Sequence, residues 1–462
     1  MAGHEFSRSP QQVPFVSTEH RTIKTAIPAP GTEQILATLD RYESRSMHGQ
    51  FPLIWDRAVD SSVFDIAGNR WIDFTSTIFV ANVGHSNPRV TAAMQAMMDA
   101  PIYSCYAYPN TKRAEYLKKL IEFAGPPFEK AFLLSAGTEA TEAALKLMRM
   151  HGQKIGKRRR GIVCIEGNWH GRTMGAQMMS SNLAQREWIG FQDSDIHHIP
   201  FPYAWALNGA SPEAFLEAGL ARLAASGIDI ENDVCGFMLE TFQGWGAVFY
   251  PKEFVQAIEK LCRKNNILLA FDEMQAGFGR TGRRFGFEHY EVTPDLIACG
   301  KGMGGGVSLS GVLGRAEIMD LPDVGNMSST HSANPLVCAA GLAVIEELEQ
   351  RSLVSEAARK GELLFNGLNA LQQRFPDRIS TLLGKGLIAA VLFRSPVTGA
   401  ADGAFTSRVA ERCMQKGLLV VHTGRESIKI GPPLTISDQA LMEGVDVLGE
   451  AIAEVIAEVN AE

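Results

Sequence analysis

The stretch Ala131-Phe132-Leu133-Leu134-Ser135-Ala136-Gly137-Thr138-Glu139-Ala140 decides the fold. A short apolar run ends in a small polar loop, and a new periodicity starts at once. Ala140, Ala143, Ala144, Leu147 and Met148 stand at helical spacing, on one face of a helix. A strand passing directly into an amphipathic helix is the building step of an alternating α/β fold. Thr138 reads as the helix N-cap, and Gly137 lets backbone approach a ligand closely. The free N–H groups and positive dipole end of the helix favour a phosphate. By itself the loop equally describes an ordinary capped strand-to-helix connection.

Working outward, the alternation continues. Helical patterns at 138–150 and 252–265 separate the apolar runs Ala131–Leu134, Gly161–Ile165, Gly236–Glu240, Ile267–Phe271, Leu296–Cys299 and Gly311–Leu313. These runs are short, poorly alternating and bounded by Gly or polar residues, as strands buried on both faces of a mostly parallel sheet are. The expectation is a large, doubly wound α/β domain over 76–345. Past 345 the texture changes to a helix over 338–373, strands at Gly386–Phe393, Leu418–His422 and Ser427–Ile430, and a closing helix with Leu441, Val445, Leu448, Ile452, Val455 and Val459 on one face. This predicts a smaller α+β domain at 346–462. Residues 1–75 read as a Pro-punctuated arm, a helix at 34–48 and strands Ser62–Phe64 and Arg70–Phe74, packing with the small domain.

Composition narrows the function classes. The 462 residues carry 51 acidic and 44 basic side chains, a net charge of −7, which argues against nucleic acid as a partner. A hydrophobic fraction of 45% excludes a disordered chain. The seven cysteines form no CxxC pair, so neither a disulfide framework nor a zinc ribbon is expected. No signal-peptide h-region and no membrane-length apolar run occurs, which predicts a cytoplasmic protein with no membrane contact. The run Lys157-Arg158-Arg159-Arg160 reads as a solvated loop, and His197-His198 lacks companion ligands at metal spacing, so no metal is expected. Glycine is frequent, at 44 residues, and its placement matters more than its number.

Three further stretches follow apolar runs. Phe271-Asp272-Glu273-Met274-Gln275 puts an acid at the carboxyl end of a buried strand, where open α/β sheets bind ligands; it suits a proton on a heteroaromatic nitrogen, or a plain salt bridge. Cys299-Gly300-Lys301-Gly302-Met303-Gly304-Gly305-Gly306 rings a lysine with glycines, leaving room for a flat ligand and an amine able to form a Schiff base. Gly167-Asn168-Trp169-His170-Gly171-Arg172-Thr173 offers an aromatic that stacks on a planar ring or fills a core.

In their chain order, with the loop at 135–140 followed by the aromatic, the carboxylate and the lysine, the four motifs resemble the class III (omega-type) aminotransferases, pyridoxal-phosphate enzymes of fold type I. The resemblance runs from about residue 25 to 455. It is carried also by Asp65–Phe74, Asn82-Val83-Gly84-His85, Gly277-Phe278-Gly279-Arg280-Thr281-Gly282, Thr330-His331-Ser332-Ala333-Asn334-Pro335 and Gly431-Pro432-Pro433-Leu434-Thr435. It implies that Lys301 carries the cofactor as an internal aldimine and moves the substrate proton, and that Asp272 keeps the pyridine nitrogen protonated. It further implies that Trp169 and Met274 flank the ring, with His170 and Glu240 nearby, and that Gln275 meets the phenolic oxygen. Gly137 and Thr138 would hold the phosphate. Thr330 would reach the phosphate site of a second subunit, making a homodimer the minimum unit and leaving a tetramer open.

The same resemblance places Arg172, Gln243, Trp245 and Lys429 around the substrate. Relatives similar to 4-aminobutyrate aminotransferases carry a glutamate where this chain has Trp245 and an arginine where it has Lys429. Lysine cannot make the bidentate fork that arginine makes to a carboxylate. The gating pair is therefore altered, with Arg425 nearby in sequence. This implies an aminotransferase moving an amino group from a primary amine to a 2-oxo acid, aldehyde or ketone by a ping-pong cycle. Decarboxylating enzymes and racemases or epimerases share the same lysine, carboxylate and phosphate loop, so the motifs alone admit those outcomes.

Overall fold

The computed structural model describes residues 5–47, 49, 51–99 and 102–461. The chain forms two compact units, one of Met1–Asn87, Trp245–Ala247 and Ser355–Glu462, the other of Pro88–Gly244 and Val248–Val354. The sequence pattern puts the corresponding boundaries at 75/76 and 345/346.

The second unit is built on a seven-stranded sheet. Its spatial order is Lys130–Leu134, Ser310–Gly314, Leu296–Cys299, Leu268–Asp272, Val234–Glu240, Gly161–Ile165 and Ile196–Ile199. Ser310–Gly314 is antiparallel to both its neighbours, and the remaining ladders are parallel. Six carboxyl ends therefore open on one edge. The central strands are buried along their whole length, which is why they read as continuous apolar runs rather than alternating ones. Helix Gly137–Lys154 lays the expected face, Ala140, Ala143, Ala144, Leu147 and Met148, on this sheet in one cluster with Ile162, Met238, Ala270, Ala298 and Val312.

The helix starts one residue earlier than expected. Ala136, not Thr138, holds the N-cap position. The first turn is instead closed by Glu139, whose Oε2 accepts the Ser135 and Ala136 amides at 3.0 and 2.8 Å. The basic run is a loop as expected, but it is solvated only in part. Lys157 is buried and donates to the Glu231 and Asn265 carbonyls, Arg158 pairs with buried Asp233 at 2.7 Å, and Arg159 pairs with Asp195 at 2.7 Å.

In the first unit, strands Val16–Ser17, Thr22–Ile23, Arg70–Asp73, Ser62–Asp65 and Trp55–Val59 form one sheet. The helix expected over 34–48 runs Thr32–Tyr42 and gives way to a 3₁₀ turn at Arg45–Met47; His48 lies outside the described residues. A second sheet of Ile379–Lys385, Ile388–Phe393, Ser427–Ile430 and Val421–His422 is antiparallel throughout. Its first strand is missed by the sequence pattern because its residues are mostly half-buried. The run 418–422 is two strands, not one. Leu418–Leu419 joins the first sheet beside Arg70–Asp73, and Val421–His422 joins the second. The single helix expected over 338–373 is two, Pro335–Gln350 and Leu353–Arg374, broken where Ser352 adopts φ 51°. The closing helix spans Asp438–Ala461 and buries the expected face from Leu441 to Val455.

Candidate active site

The second unit holds Gly137, Thr138, Trp169, His170, Arg172, Glu240, Gln243, Asp272, Met274, Gln275, Lys301 and Thr330; the first holds Trp245 and Lys429. Sheet register does much of the gathering. Asp272 pairs in register with Glu240 on one side and with Ala298 on the other, three residues before Lys301.

Asp272 is 5% exposed. Its Oδ1 accepts the Met274 amide at 3.0 Å, and its Oδ2 lies 2.9 Å from Nδ1 of His170. His170 is itself buried, its backbone tied to Ser180 Oγ at 2.8 Å and Thr141 Oγ1 at 2.7 Å. Its Nε2 is buried with no hydrogen-bond partner, a state that ordinarily marks a role beyond packing. Lys301 is half-buried, with φ 48°, at the start of a 3₁₀ turn. Burial pushes its ammonium pKa down, while the Asp272 and Glu240 carboxylates pull the other way.

Around these groups the backbone is cleared. A Cβ on Gly137 would stand 2.8 Å from Sδ of Met274, and one on Gly300 2.7 Å from the same atom. The Met274 thioether thus packs between the loop before helix Gly137–Lys154 and the loop that carries Lys301, and only glycine fits at either contact. Freed from capping, Thr138 turns its Oγ1 to within 2.6 Å of Thr173 Oγ1, and Thr173 donates to Glu142 at 2.5 Å. Thr330 is exposed, and within the chain it is Ser332 that meets this loop, its Oγ 3.1 Å from Ser135 Oγ. Ser332 and Glu142 are missed by the sequence reading. Glu142 is signalled by its place four residues after Thr138 on one helix face, and Ser332 by standing inside the Thr330–Pro335 motif.

Trp169 is 39% exposed, with the Arg172 guanidinium 4.3 Å from its ring centroid. Its amide donates to Oε2 of buried Glu240 at 2.9 Å. Gln275 packs its amide on the bare Cα of Gly244. Gln243 is fully buried. In the first unit, the Arg425 guanidinium lies 3.9 Å from the ring centroid of Trp245, whose carbonyl accepts Ser427 Oγ at 3.0 Å. Lys429 is buried, with Nζ 4.9 Å from the Phe79 ring centroid.

The arrangement is a carboxylate backed by histidine, an amine of lowered basicity and a helix N-terminus with hydroxyls, set in a glycine-cleared cradle. It suits a flat, phosphorylated heteroaromatic carbonyl compound. The class-III aminotransferase family model matches residues 43–452. The chain is 33% identical over 412 residues to 5-aminovalerate aminotransferase of Pseudomonas putida, covering 87% of this chain and 94% of that one. It is 30% identical over 449 residues to 4-aminobutyrate aminotransferase of Mycobacterium leprae, covering 94% and 99%. Among solved structures, the ornithine aminotransferase of Toxoplasma gondii superimposes with a TM-score of 0.80 at 26% identity, over 92% of this chain and 95% of that one; its description records partial occupancy of PLP at the active site.

The chain therefore belongs to the class-III aminotransferases. It is an enzyme of fold type I that depends on pyridoxal phosphate and transfers an amino group between an amine and an oxo compound. Its residues fit that cofactor: the buried Asp272 carboxylate would accept a proton-bearing ring nitrogen, and the N-terminus of helix Gly137–Lys154 with the Thr138 hydroxyl would offer donors to a phosphate. Among the described residues no helix is long and apolar enough to cross a membrane.

Proposed function

We propose that Lys301 is the amine that holds the cofactor and then shuttles the proton at the substrate carbon, and that Asp272 holds a proton on the ring nitrogen. When bound, pyridoxal phosphate supplies the electron sink for the carbanion left as that proton departs. Lys301 suits general acid–base work because burial lowers its pKa towards neutrality. His170 fixes Asp272 in place at 2.9 Å. Gly137, Thr138 and the helix dipole hold the phosphate. Trp169 and Met274 flank the ring, with Glu240 and Gln275 beside it. The second unit is the cofactor-binding domain and the first the smaller domain. The active molecule is a cytoplasmic homodimer in which Thr330 reaches the phosphate site of the second subunit, with further assembly to a tetramer left open.

The amino donor is proposed to be a diamine, an amino sugar or another amine whose reacting nitrogen sits on a carbon without a carboxylate. The observation that carries this is the pair of substitutions in the first unit. Trp245 stands stacked under Arg425, and Lys429 lies buried over Phe79, in place of a glutamate–arginine gate. An aromatic wall favours a cationic or apolar substituent. Arg172 completes the proposed substrate side, while Gln243, expected there from the sequence, is fully buried with its amide engaged within the protein. The test is a half-reaction screen of donors against the visible absorbance of the bound cofactor. Diamines or amino sugars are expected to bleach it faster than glutamate; faster bleaching by glutamate overturns the donor reading. Lys301→Ala is expected to abolish the lysine-bound absorbance, and an unchanged spectrum overturns the assignment of Lys301.

A further inference from the structure

We infer that Tyr203 and Gln243 are positioning residues that lock the segment Glu166–His170, and that Gln243 acts there rather than by touching substrate; this rests on the reading of Trp169 and His170 as cofactor contacts. Gln243 is 0% exposed. Its Nε2 donates to the Glu166 carbonyl at 2.5 Å, and its Oε1 accepts the Tyr203 hydroxyl. Both ends of the amide are thus engaged inside the protein. The amide also lies flat on Gly167, where φ is +86° and a Cβ would stand 2.5 Å from Nε2. No side chain at 167 would leave room for it.

Tyr203 is fixed in turn. Its ring lies between Phe201, with centroids 4.5 Å apart, and Trp205, 4.7 Å away and nearly parallel at 12°. Phe201 also packs on Tyr250 at 4.5 Å, and the Tyr250 hydroxyl donates to Asn168 Oδ1 at 3.3 Å. The aromatic ladder therefore reaches the segment twice, directly through the Tyr250 hydroxyl on Asn168 and indirectly through the Tyr203 hydroxyl on Gln243. The other residues of the segment are tied as well: Gly167 to Ser181 Oγ at 2.5 Å, Trp169 to Glu240 Oε2 at 2.9 Å and His170 to Ser180 Oγ at 2.8 Å. A segment held at each residue presents the Trp169 ring and the His170–Asp272 pair in one geometry, which is what preorganisation demands. The Tyr203 hydroxyl holds the Gln243 amide from outside the segment. Without it, the Gln243 oxygen loses one hydrogen bond and the hold on the amide is loosened.

The experiment pairs kinetics on the cofactor-loaded enzyme with amide hydrogen exchange on the protein without added cofactor. For Tyr203→Phe, kcat is expected to fall roughly tenfold with KM changed by less than about twofold. Exchange at residues 167–170 is expected to quicken by roughly tenfold, with the helix Pro335–Gln350 unaffected. A second variant, Gln243→Glu, keeps an acceptor for Tyr203 but loses the donor to Glu166; the same local gain in exchange is expected, so the inference does not depend on one variant folding. A raised KM with unchanged kcat would make Gln243 a substrate contact and overturn the inference. Exchange quickened evenly over the whole unit would reduce the pair to general stability and overturn it too, as would exchange unchanged in both variants. Protein that takes up no cofactor refutes the Lys301 reading instead, and the exchange result still decides this one.

Discussion

Asp272 and Glu273 are neighbours in sequence, both carboxylic and both buried, yet their partners give them different work. Asp272 meets His170 and a single amide, so one side of its carboxylate is left for a ring nitrogen. Asp272→Asn is expected to lower kcat on the order of a hundredfold while the protein still folds, because a neutral amide cannot hold the nitrogen's proton; steady-state assays of the loaded enzyme check this. Glu273 is enclosed: it accepts Thr241 Oγ1 at 2.5 Å and the Gly286 and Phe287 amides at 2.8 Å each. Burial pushes its carboxyl up to about 7 against the pull of those donors. The folded state then binds more protons than the unfolded one between about 4.5 and 7. Its contribution to stability is fully present at pH 4.5 and is lost as pH rises through 7. Melting temperatures of wild type and Glu273→Leu over that window should show the difference, and a pH-independent gap would refute it.

At the scale of elements, one segment of the first unit is bent into an uncommon form. Ser76, Thr77, Ile78 and Phe79 all have positive φ, from 45° to 69°, a left-handed turn that costs about 1–2 kcal/mol per residue. Asp73, fully buried, holds it. Its carboxylate accepts the Thr75 amide at 2.7 Å, the Thr75 hydroxyl at 2.6 Å, the Ser76 amide at 3.0 Å and His85 Nε2 at 2.7 Å. Ser76 Oγ adds a bond to the Gly431 carbonyl at 2.7 Å. Asp73→Ala would strand the buried Ser76 amide and three half-buried donors beside an already strained turn, at roughly 3 kcal/mol or more. A fall in denaturation midpoint checks this, and a neutral variant would show the turn to be held by packing alone. Elsewhere, the helix break at Ser352 in the second unit and the division of 418–422 between two sheets of the first escape a periodicity reading. Each is set by what the backbone must reach, not by which residues are apolar.

At the scale of the whole molecule, the predicted assembly is a dimer. Sedimentation at micromolar concentration is expected to give twice the mass of one chain. If Thr330 serves the second subunit, Thr330→Ala should weaken cofactor retention without lowering the melting temperature of the cofactor-free protein, since Thr330 is exposed in the single chain. A monomer with full cofactor affinity would overturn both statements. Trp245–Ala247 belong to a different compact unit from Gly244, so one tight bend in the chain passes from one unit to the other.

Six of the seven strands of the large sheet and the helix after Leu134 were legible in the residues, because buried strands read as unbroken apolar runs; the edge strand Ile196–Ile199, mostly half-buried, was not. Sequence order plus a strand-to-helix rhythm determined the fold class. Tertiary structure alone decided what those groups touch. That Thr138 faces Thr173 instead of capping its helix, that Lys157, Arg158 and Arg159 meet Asn265, Asp233 and Asp195, that Met274 fills the space left by Gly137 and Gly300, and that Tyr203 bonds Gln243 are contacts across 25 or more residues of chain. Periodicity reports which face of an element is buried. It carries no information about which distant side chain waits on the other side, and hydrogen bonds and charge are settled there.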